Sequence, residues 1–290
     1  MTDSDSECSE TLVWLDKRSR QLDEVVRETR EVVAQGLTEV VLLGQTVNSY
    51  NDGTHDFADL LRAVGAVPGI RRVRYTSPHP NDFSDRVIAA MAETPTVCPH
   101  VHLPMQSGST SMLKRMLRRY SREGYLECVA RLRDAIPGLG VTTDIIVGFP
   151  GETDEEFEDT LSLCRAVRFD DSFTFKFSAR EGTPATRMPP EWTVPPEVVD
   201  RRYDTLFATV RGISREKNLA RLGERVEVLV EKEARKGDLM QARSADFKTV
   251  LVPGTVASIG QYFTVELTGT SGATFMGTPV AERQPLPLVG

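Results

Sequence analysis

Four short segments of this 290-residue chain gather side chains suited to holding a polar ligand. They are Gly44-Gln45-Thr46-Val47-Asn48, Ser77-Pro78-His79-Pro80, Gln106-Ser107-Gly108-Ser109 and Gly148-Phe149-Pro150-Gly151-Glu152. Amides and hydroxyls both donate and accept, and glycine lets a ligand approach the backbone closely. Gly44 and Gln45 could receive an ammonium group, or Gln45 could be a buried amide tying two loops together. Phe149 offers a flat apolar face, for a ring or for the core. Asp144 lies inside an otherwise apolar run, TTDIIVGF. A buried carboxylate needs partners, so it either faces a site or bonds a neighbouring hydroxyl such as that of Thr143. His79 and His102 are acid–base candidates, although such histidines more often serve as structural hydrogen-bonders.

Each segment closes an apolar run, and the runs alternate with helical patterns. Strands are expected over 39–43, 71–76, 100–105, 141–147 and 173–177. Helices are expected over 22–34, 57–67, 85–92, 111–117, 124–135 and 155–167. Strands alternating with helices imply βαβ units and a parallel sheet. Its C-terminal strand ends form the active face, so the four segments are expected to share one site, although turn chemistry alone also favours such residues. Gly36 reads as a left-handed helix stop. Thr153 followed by Asp154, Glu155 and Glu156 reads as a helix start. A proline-rich break over 184–196 leads into a long polar helix, 197–221. Beyond Gly223 the texture becomes all-β, with strands expected over 226–230, 249–252 and 262–267, a small barrel.

The chain has 35 Lys+Arg against 42 Asp+Glu, a formal net charge of −7, with 40% hydrophobic residues. This is a balance compatible with a buried core. Apolar runs such as 40–43 fall far short of the roughly 20 residues of a membrane span. The polar N-terminus has no signal core. Any nucleic-acid footprint must be local. One candidate is the 111–133 stretch, with Lys114, Arg115, Arg118, Arg119, Arg122, Arg131 and Arg133 against Glu123 and Glu127. A second is Arg71, Arg72 and Arg74. Either is a phosphate-binding stripe or a solvated face. The four cysteines, Cys8, Cys98, Cys128 and Cys164, are scattered without a CxxC. That spacing offers no local metal site, and Cys128 and Cys164 are expected to be buried on helices.

The segments LLGQTVNSYNDG, YTSPHPNDF, HVHLPMQSGSTSMLKRM, TTDIIVGFPGETDEEFEDT and FKFSAREGTPA resemble, in order and spacing, the radical S-adenosylmethionine methylthiotransferases. The resemblance runs from about Arg18 to the C-terminus. The SPHP and HLPMQSGS spellings resemble the MiaB-type tRNA branch rather than the ribosomal-protein branch. The resemblance implies an α/β fold, an incomplete parallel βα barrel over 18–221, followed over 222–290 by a small all-β barrel like the RNA-contacting TRAM domain. It implies addition of a 2-methylthio group to N6-isopentenyladenosine at position 37 of tRNA, with S-adenosylmethionine and two 4Fe–4S clusters as cofactors. S-adenosylmethionine would meet Gly44, Gln45, Gln106, Ser107, Arg118, Asp144, Gly148 and Phe149, with Arg118 on its carboxylate. Arg115, Arg119, Arg122, Arg180 and Thr183 would meet substrate or RNA. The partner would be tRNA, with no DNA and no membrane, for a monomer in the cytoplasm.

The departures from the family matter as much. Its N-terminal three-cysteine domain and its CxxxCxxC loop have no counterpart here, and residues 1–17 match nothing in it. Cluster ligands are therefore expected to be missing and the chain inactive in methylthiolation, or else a non-catalytic remnant that binds RNA or S-adenosylmethionine. Residues 1–17 are expected to be a disordered lead-in or a frame-shifted translation. About five strands of the βα barrel should remain, with 40–43 at an exposed edge.

Overall fold

The computed structural model describes residues 11–15 and 19–280 apart from 181 and 236; side chains are described from residue 19 onward, apart from those two and 256. The chain divides into two compact units at residue 217.

The first unit is an arc of six parallel strands. β1 (Thr11–Leu15), β2 (Glu39–Gly44) and β3 (Arg72–Tyr75) form one three-stranded sheet. β4 (His100–His102), β5 (Gly140–Val147) and β6 (Asp171–Lys176) form a second. A parallel bridge joins the two: Val73 N–H donates to Thr96 O (2.7 Å) and Cys98 N–H to Val73 O (2.9 Å). The result is the expected incomplete parallel βα barrel. One expectation is corrected. β1 pairs in parallel along β2, Thr11 opposite Val40 through Leu15 opposite Gly44. β2 is thus a middle strand rather than an exposed edge, and the described residues of this unit form six strands instead of about five. Residues 11–15 belong to the sheet, while the rest of the lead-in, with Cys8, lies outside the described residues. TLVWL is apolar and contains a β-branched residue and a tryptophan, which suits a strand; at five residues it is too short for its period to be told from a tail.

The helices cover the outer face. α1 (Leu22–Ala34) buries Val25, Val26, Thr29 and Val32, a single stripe at helical spacing. It ends as expected at Gly36 (φ +89°). The Gly36 and Leu37 N–H groups donate to Val33 O and Val32 O, satisfying carbonyls the helix leaves open. α2 (Phe57–Gly65), α3 (Asp85–Glu93), α4 (Thr110–Arg115), α5 (Arg122–Ala135) and α6 (Asp154–Val167) follow. α6 starts at Thr153, as its sequence predicts, and the structure adds a reciprocal capping box between Thr153 and Glu156. Val40, Leu42, Val73, Tyr75, Val101, Val141, Ile145 and Val147 join the helices in one core. Strand alternation therefore turns Glu39, Arg72, Arg74, His100, His102, Thr142, Asp144 and Ile146 to the inside of the arc. α7 (Pro196–Ala220) closes the unit and runs into the second.

The second unit is a closed five-stranded barrel: β7 (Arg225–Glu233), β8 (Leu239–Ser244), β9 (Thr249–Pro253), β10 (Tyr262–Thr270) and β11 (Thr274–Pro279), in the order β10-β11-β9-β8-β7. β7 and β10 pair to close it. Val228, Val230, Ala242, Val250, Val252, Val265, Leu267 and Phe275 fill it. Two of its strands escape sequence reading. β8 (LMQARS) is too polar, and β11 (TFMGTP) carries Gly277 and Pro279, which read as breakers. Gly277 is a packing requirement there: a Cβ would sit 2.7 Å from Val250 Cγ1.

Candidate ligand cavity

The rim of the second half-sheet builds the cavity. After β4 the chain turns at Gln106, a left-handed residue (φ +60°), yet stays on the sheet: Gln106 N–H donates to Asp144 O and Ile146 N–H donates to Gln106 O, both at 2.9 Å. Gly108 permits the approach to α6, since a Cβ there would lie 2.5 Å from Asp159 O. Its N–H donates to Thr160 Oγ1 (2.9 Å). After β5, Gly148 (φ +74°) donates its N–H to Glu152 Oε2 (2.8 Å). Burial pushes the Glu152 carboxyl up, while the Gly148 N–H and Arg202 oppose the rise. After α4, Leu117 (φ +56°) makes the turn that presents Arg118.

Gln106, Arg118, Asp144, Phe149, Arg180 and Thr183, all singled out by sequence, line one cavity of about 670 Å³. Arg118 is exposed, and its guanidinium has no hydrogen bond or ion pair among the described residues. Asp144 faces inward beside His102, with Nε2 3.4 Å from Oδ2. Its carboxylate does not take the Thr143 hydroxyl, which accepts from Met105 N–H (2.8 Å) and donates to the Asp144 main-chain oxygen (3.4 Å). Phe149 and Phe177 meet edge to face at 5.0 Å. Ile146, Phe175 and Met188 add apolar wall that the motifs did not flag. The missed signal was the strand alternation on β5 and β6, which puts Asp144 and Ile146 opposite Phe173 and Phe175.

Other expected site residues fall elsewhere. Ser107 is buried, its hydroxyl against Thr160 Oγ1 (3.2 Å) and accepting from Ser109 N–H. Gly148 lines a neighbouring cavity of about 550 Å³. Gly44 and Gln45 end β2 outside the cavity, and Gln45 is exposed, not a buried tie. His79 is a loop fixture: its Nδ1 accepts from Asn81 N–H, and burial, with Arg118 and Arg119, pushes its pKa down despite Asp82.

The basic stripe is corrected too. Arg115 touches the cavity, but it donates to Gly151 O (2.9 Å) and pairs with Glu156. Burial alone would raise Glu156; Ser111, the Thr153 N–H and Arg115 together carry it below its ordinary value. Arg122 donates to Gly108 O (3.1 Å), Asp159 O (2.6 Å) and Ser162 Oγ (3.1 Å). Arg131 and Arg133 bond Phe83 O and Arg168 O. Lys114, Arg118 and Arg119 remain exposed. Arg72 and Arg74 are buried around Glu39 inside the arc. The sequence could not reveal these ties, because the acceptors are mostly backbone carbonyls far along the chain.

The cavity thus offers a guanidinium for a carboxylate, an amide and a carboxylate for hydroxyl or amine donors, and aromatic edges for a planar ring. This fits a nucleoside that carries an amino-acid tail. The comparisons agree with the fold. A profile described as the Radical SAM superfamily matches residues 8–164. The chain belongs to the radical SAM superfamily. It is 50% identical over 259 residues to a tRNA-2-methylthio-N(6)-dimethylallyladenosine synthase from Acidothermus cellulolyticus, covering 87% of this chain and 52% of that protein. It is 46% identical over 256 residues to the protein of that name from Acetivibrio thermocellus, covering 87% and 53%. The chain spans about half the length of the curated relatives it matches. Coproporphyrinogen III oxidase from Escherichia coli shares the fold, with a TM-score of 0.52, 11% identity, and 95% of this chain and 73% of that one covered.

An iron–sulfur cluster, which the family implies, does not fit the described residues. A cubane wants three convergent thiolates. Cys98, Cys128 and Cys164 are buried and unpaired by disulfides. Burial pushes the Cys128 thiol up to about 11 and that of Cys164 to about 12, which opposes the thiolate form that binds metal. The connection from β1 to α1, residues 16–21, contains no cysteine. Among the described residues no group of three His, Cys, Asp or Glu is arranged for a metal ion. Nor is any described helix long and apolar enough to cross a membrane.

Proposed function

We propose that this chain does the binding work of a tRNA methylthiotransferase of the 2-methylthio-N6-isopentenyladenosine type, without itself carrying the radical step. S-adenosylmethionine occupies the cavity: Arg118 takes its carboxylate, Gln106 and Asp144 its hydroxyl or amine donors, and Phe149 flanks its ring. The tRNA is met by Arg180, which lines the cavity, by the exposed Arg119 and Lys114, and separately by the terminal barrel, and the protein works in the cytoplasm. The observation that carries this reading is the convergence of Gln106, Arg118, Asp144 and Phe149 on one cavity. The barrel is nearly neutral, with 7 Lys+Arg against 8 Asp+Glu from residue 222 onward, so its RNA contacts rest on shape and a few placed groups.

Calorimetry with S-adenosylmethionine and S-adenosylhomocysteine tests the cavity. Both should bind, and Arg118→Gln should weaken both by about tenfold, the loss of one charge-assisted bond. Absence of binding to the wild-type chain overturns the reading. Anaerobic incubation with iron and sulfide should leave no stable iron–sulfur absorption. A stable cluster with reductive cleavage of S-adenosylmethionine would show that this chain does carry the radical step.

A further inference from the structure

Behind the Asp144 carboxylate stands a row of polar groups that the ligand contacts do not use. His100 and His102 on β4 lie beside Thr142 on β5, where the register pairs His102 with Thr142 directly. The Thr142 hydroxyl sits 3.0 Å from His100 Nε2 and 3.0 Å from His102 Nδ1. The other nitrogen of His102, Nε2, lies 3.4 Å from Asp144 Oδ2. Phe173 closes the far side of His102, ring to ring at 6.0 Å. All of these groups are on the inner face of the arc, and Asp144 is the member that reaches the cavity.

Counting protons narrows the direction of this row. Thr142 has one hydroxyl hydrogen and two imidazole neighbours, so it donates to one of them at most. If it donated to His100, a neutral His102 would carry its hydrogen on Nδ1 and turn a lone pair on Nε2 toward the carboxylate, which is repulsive. If it donates to His102 Nδ1 instead, His102 carries its hydrogen on Nε2, facing Asp144. His100 Nε2–H then donates to Thr142 Oγ1. This second order meets all three of these contacts while His102 is neutral and Asp144 is a carboxylate. Threonine thereby selects the tautomer, and the tautomer sets which oxygen of Asp144 is engaged from behind. Oδ1 is left to accept from the ligand.

We propose that His102, locked as its Nε2–H tautomer by Thr142 and His100, is the positioning residue that fixes the Asp144 carboxylate as a hydrogen-bond acceptor for the bound nucleoside. The proposal rests on the nucleoside reading of the cavity. At 3.4 Å the His102–Asp144 contact is longer than an ordinary hydrogen bond, and under this proposal it shortens when a ligand draws on the carboxylate. His100, His102 and Thr142 are not among the residues that line the cavity, whereas Asp144 is, so their effect on a ligand there passes through Asp144.

The test uses the full chain labelled with [15N]histidine, together with S-adenosylhomocysteine titrations. In the free wild-type protein the His102 nitrogen shifts should report a single Nε2–H tautomer. Thr142→Val, which keeps the shape and removes the hydroxyl, should give a tautomer mixture and bind S-adenosylhomocysteine about tenfold more weakly, as for one lost hydrogen bond to a charged group. Thr142→Ser should restore both the tautomer and the affinity. His102→Gln, which keeps an N–H donor but no second nitrogen, should bind more tightly than His102→Leu. A mixed tautomer in the wild type, or Thr142→Val binding as tightly as Thr142→Ser, overturns the proposal. Wild-type protein with the tautomer fixed but no nucleoside binding overturns the cavity reading, and the role given to Asp144 with it.

Discussion

The two halves of the arc carry polar residues on the same inner face and treat them in opposite ways. In the first half, Glu39, Arg72 and Arg74 are almost fully buried, at 1%, 3% and 5% exposure. Arg74 Nε donates to Glu39 Oε1 at 2.8 Å, and Arg72 Nη1 lies 3.7 Å from Oε2. The charges answer one another, as burial demands. In the second half, His102 and Asp144 keep 24% and 29% side-chain exposure, and Phe173 and Phe175 stand exposed nearby. Here the polar groups are ordered from behind but open in front. A closed, ion-paired cluster, in which Glu39 Oε2 still lacks a hydrogen bond, sits inside the first half; the row in the second half is open toward the cavity. Residue type alone does not separate the two.

The strongest way to break this comparison is at Glu39. Glu39→Ala leaves two buried guanidinium groups without their acid, and should cost about 3–5 kcal/mol in urea unfolding of the first unit. A loss below about 1 kcal/mol would mean that water or other groups already satisfy both arginines. Next is Arg122, which a reading of charge places beside Arg118 in one stripe. Arg122→Ala removes bonds to Gly108 O and Asp159 O and should cost about 1–3 kcal/mol in the same assay. Arg118→Ala should leave the unfolding midpoint unchanged and weaken S-adenosylhomocysteine binding. If reversing Arg119 and Lys114 together leaves tRNA binding and its salt dependence untouched, those two are only solvated charges.

Much of the fold was legible because its signals are local. The α1 stripe, the Gly36 stop and the Thr153 helix start each lie within one or two turns of sequence, and each is found in place. The convergence of Gln106, Arg118, Asp144 and Phe149 was legible from motif order. What was not legible depends on partners distant along the chain. Ser107 is taken by Thr160, Arg115 by Glu156 and Arg122 by Asp159, all on or beside α6, and no property of residues 107–122 announces it. β1 was hidden for another reason: five residues are too few to show a period. His100 and Thr142 were invisible as a pair because strand register, not sequence distance, brings them together.

A smaller effect sharpens the comparison at Asp144. Because this side chain is partly exposed, Asp144→Ala should change the unfolding free energy by no more than about 0.5 kcal/mol. The same variant should lower nucleoside affinity about tenfold or more. A large stability loss instead would class Asp144 with Glu39, as part of a closed cluster.

The smallest effect concerns Glu152, a buried acid of the second half that is closed off like Glu39 of the first. Arg202 Nη1 donates to Glu152 Oε2 at 2.9 Å, beside the Gly148 N–H. Burial is the largest influence and raises this carboxyl above its ordinary value, with the N–H and Arg202 only partly offsetting it. An acid held more tightly by its proton when folded makes the native state the greater proton binder. Its contribution is therefore complete below the unfolded value of about 4.3 and fades as pH rises through the raised folded value. Stability of the first unit should fall over that window, and Glu152→Gln, which does not titrate, should remove that part of the slope. Unfolding free energies measured from about pH 4 upward for both proteins check the sign. A wild-type slope equal to that of Glu152→Gln would show that Arg202 and the Gly148 N–H cancel burial, and stability rising more steeply in the wild type would show that they outweigh it.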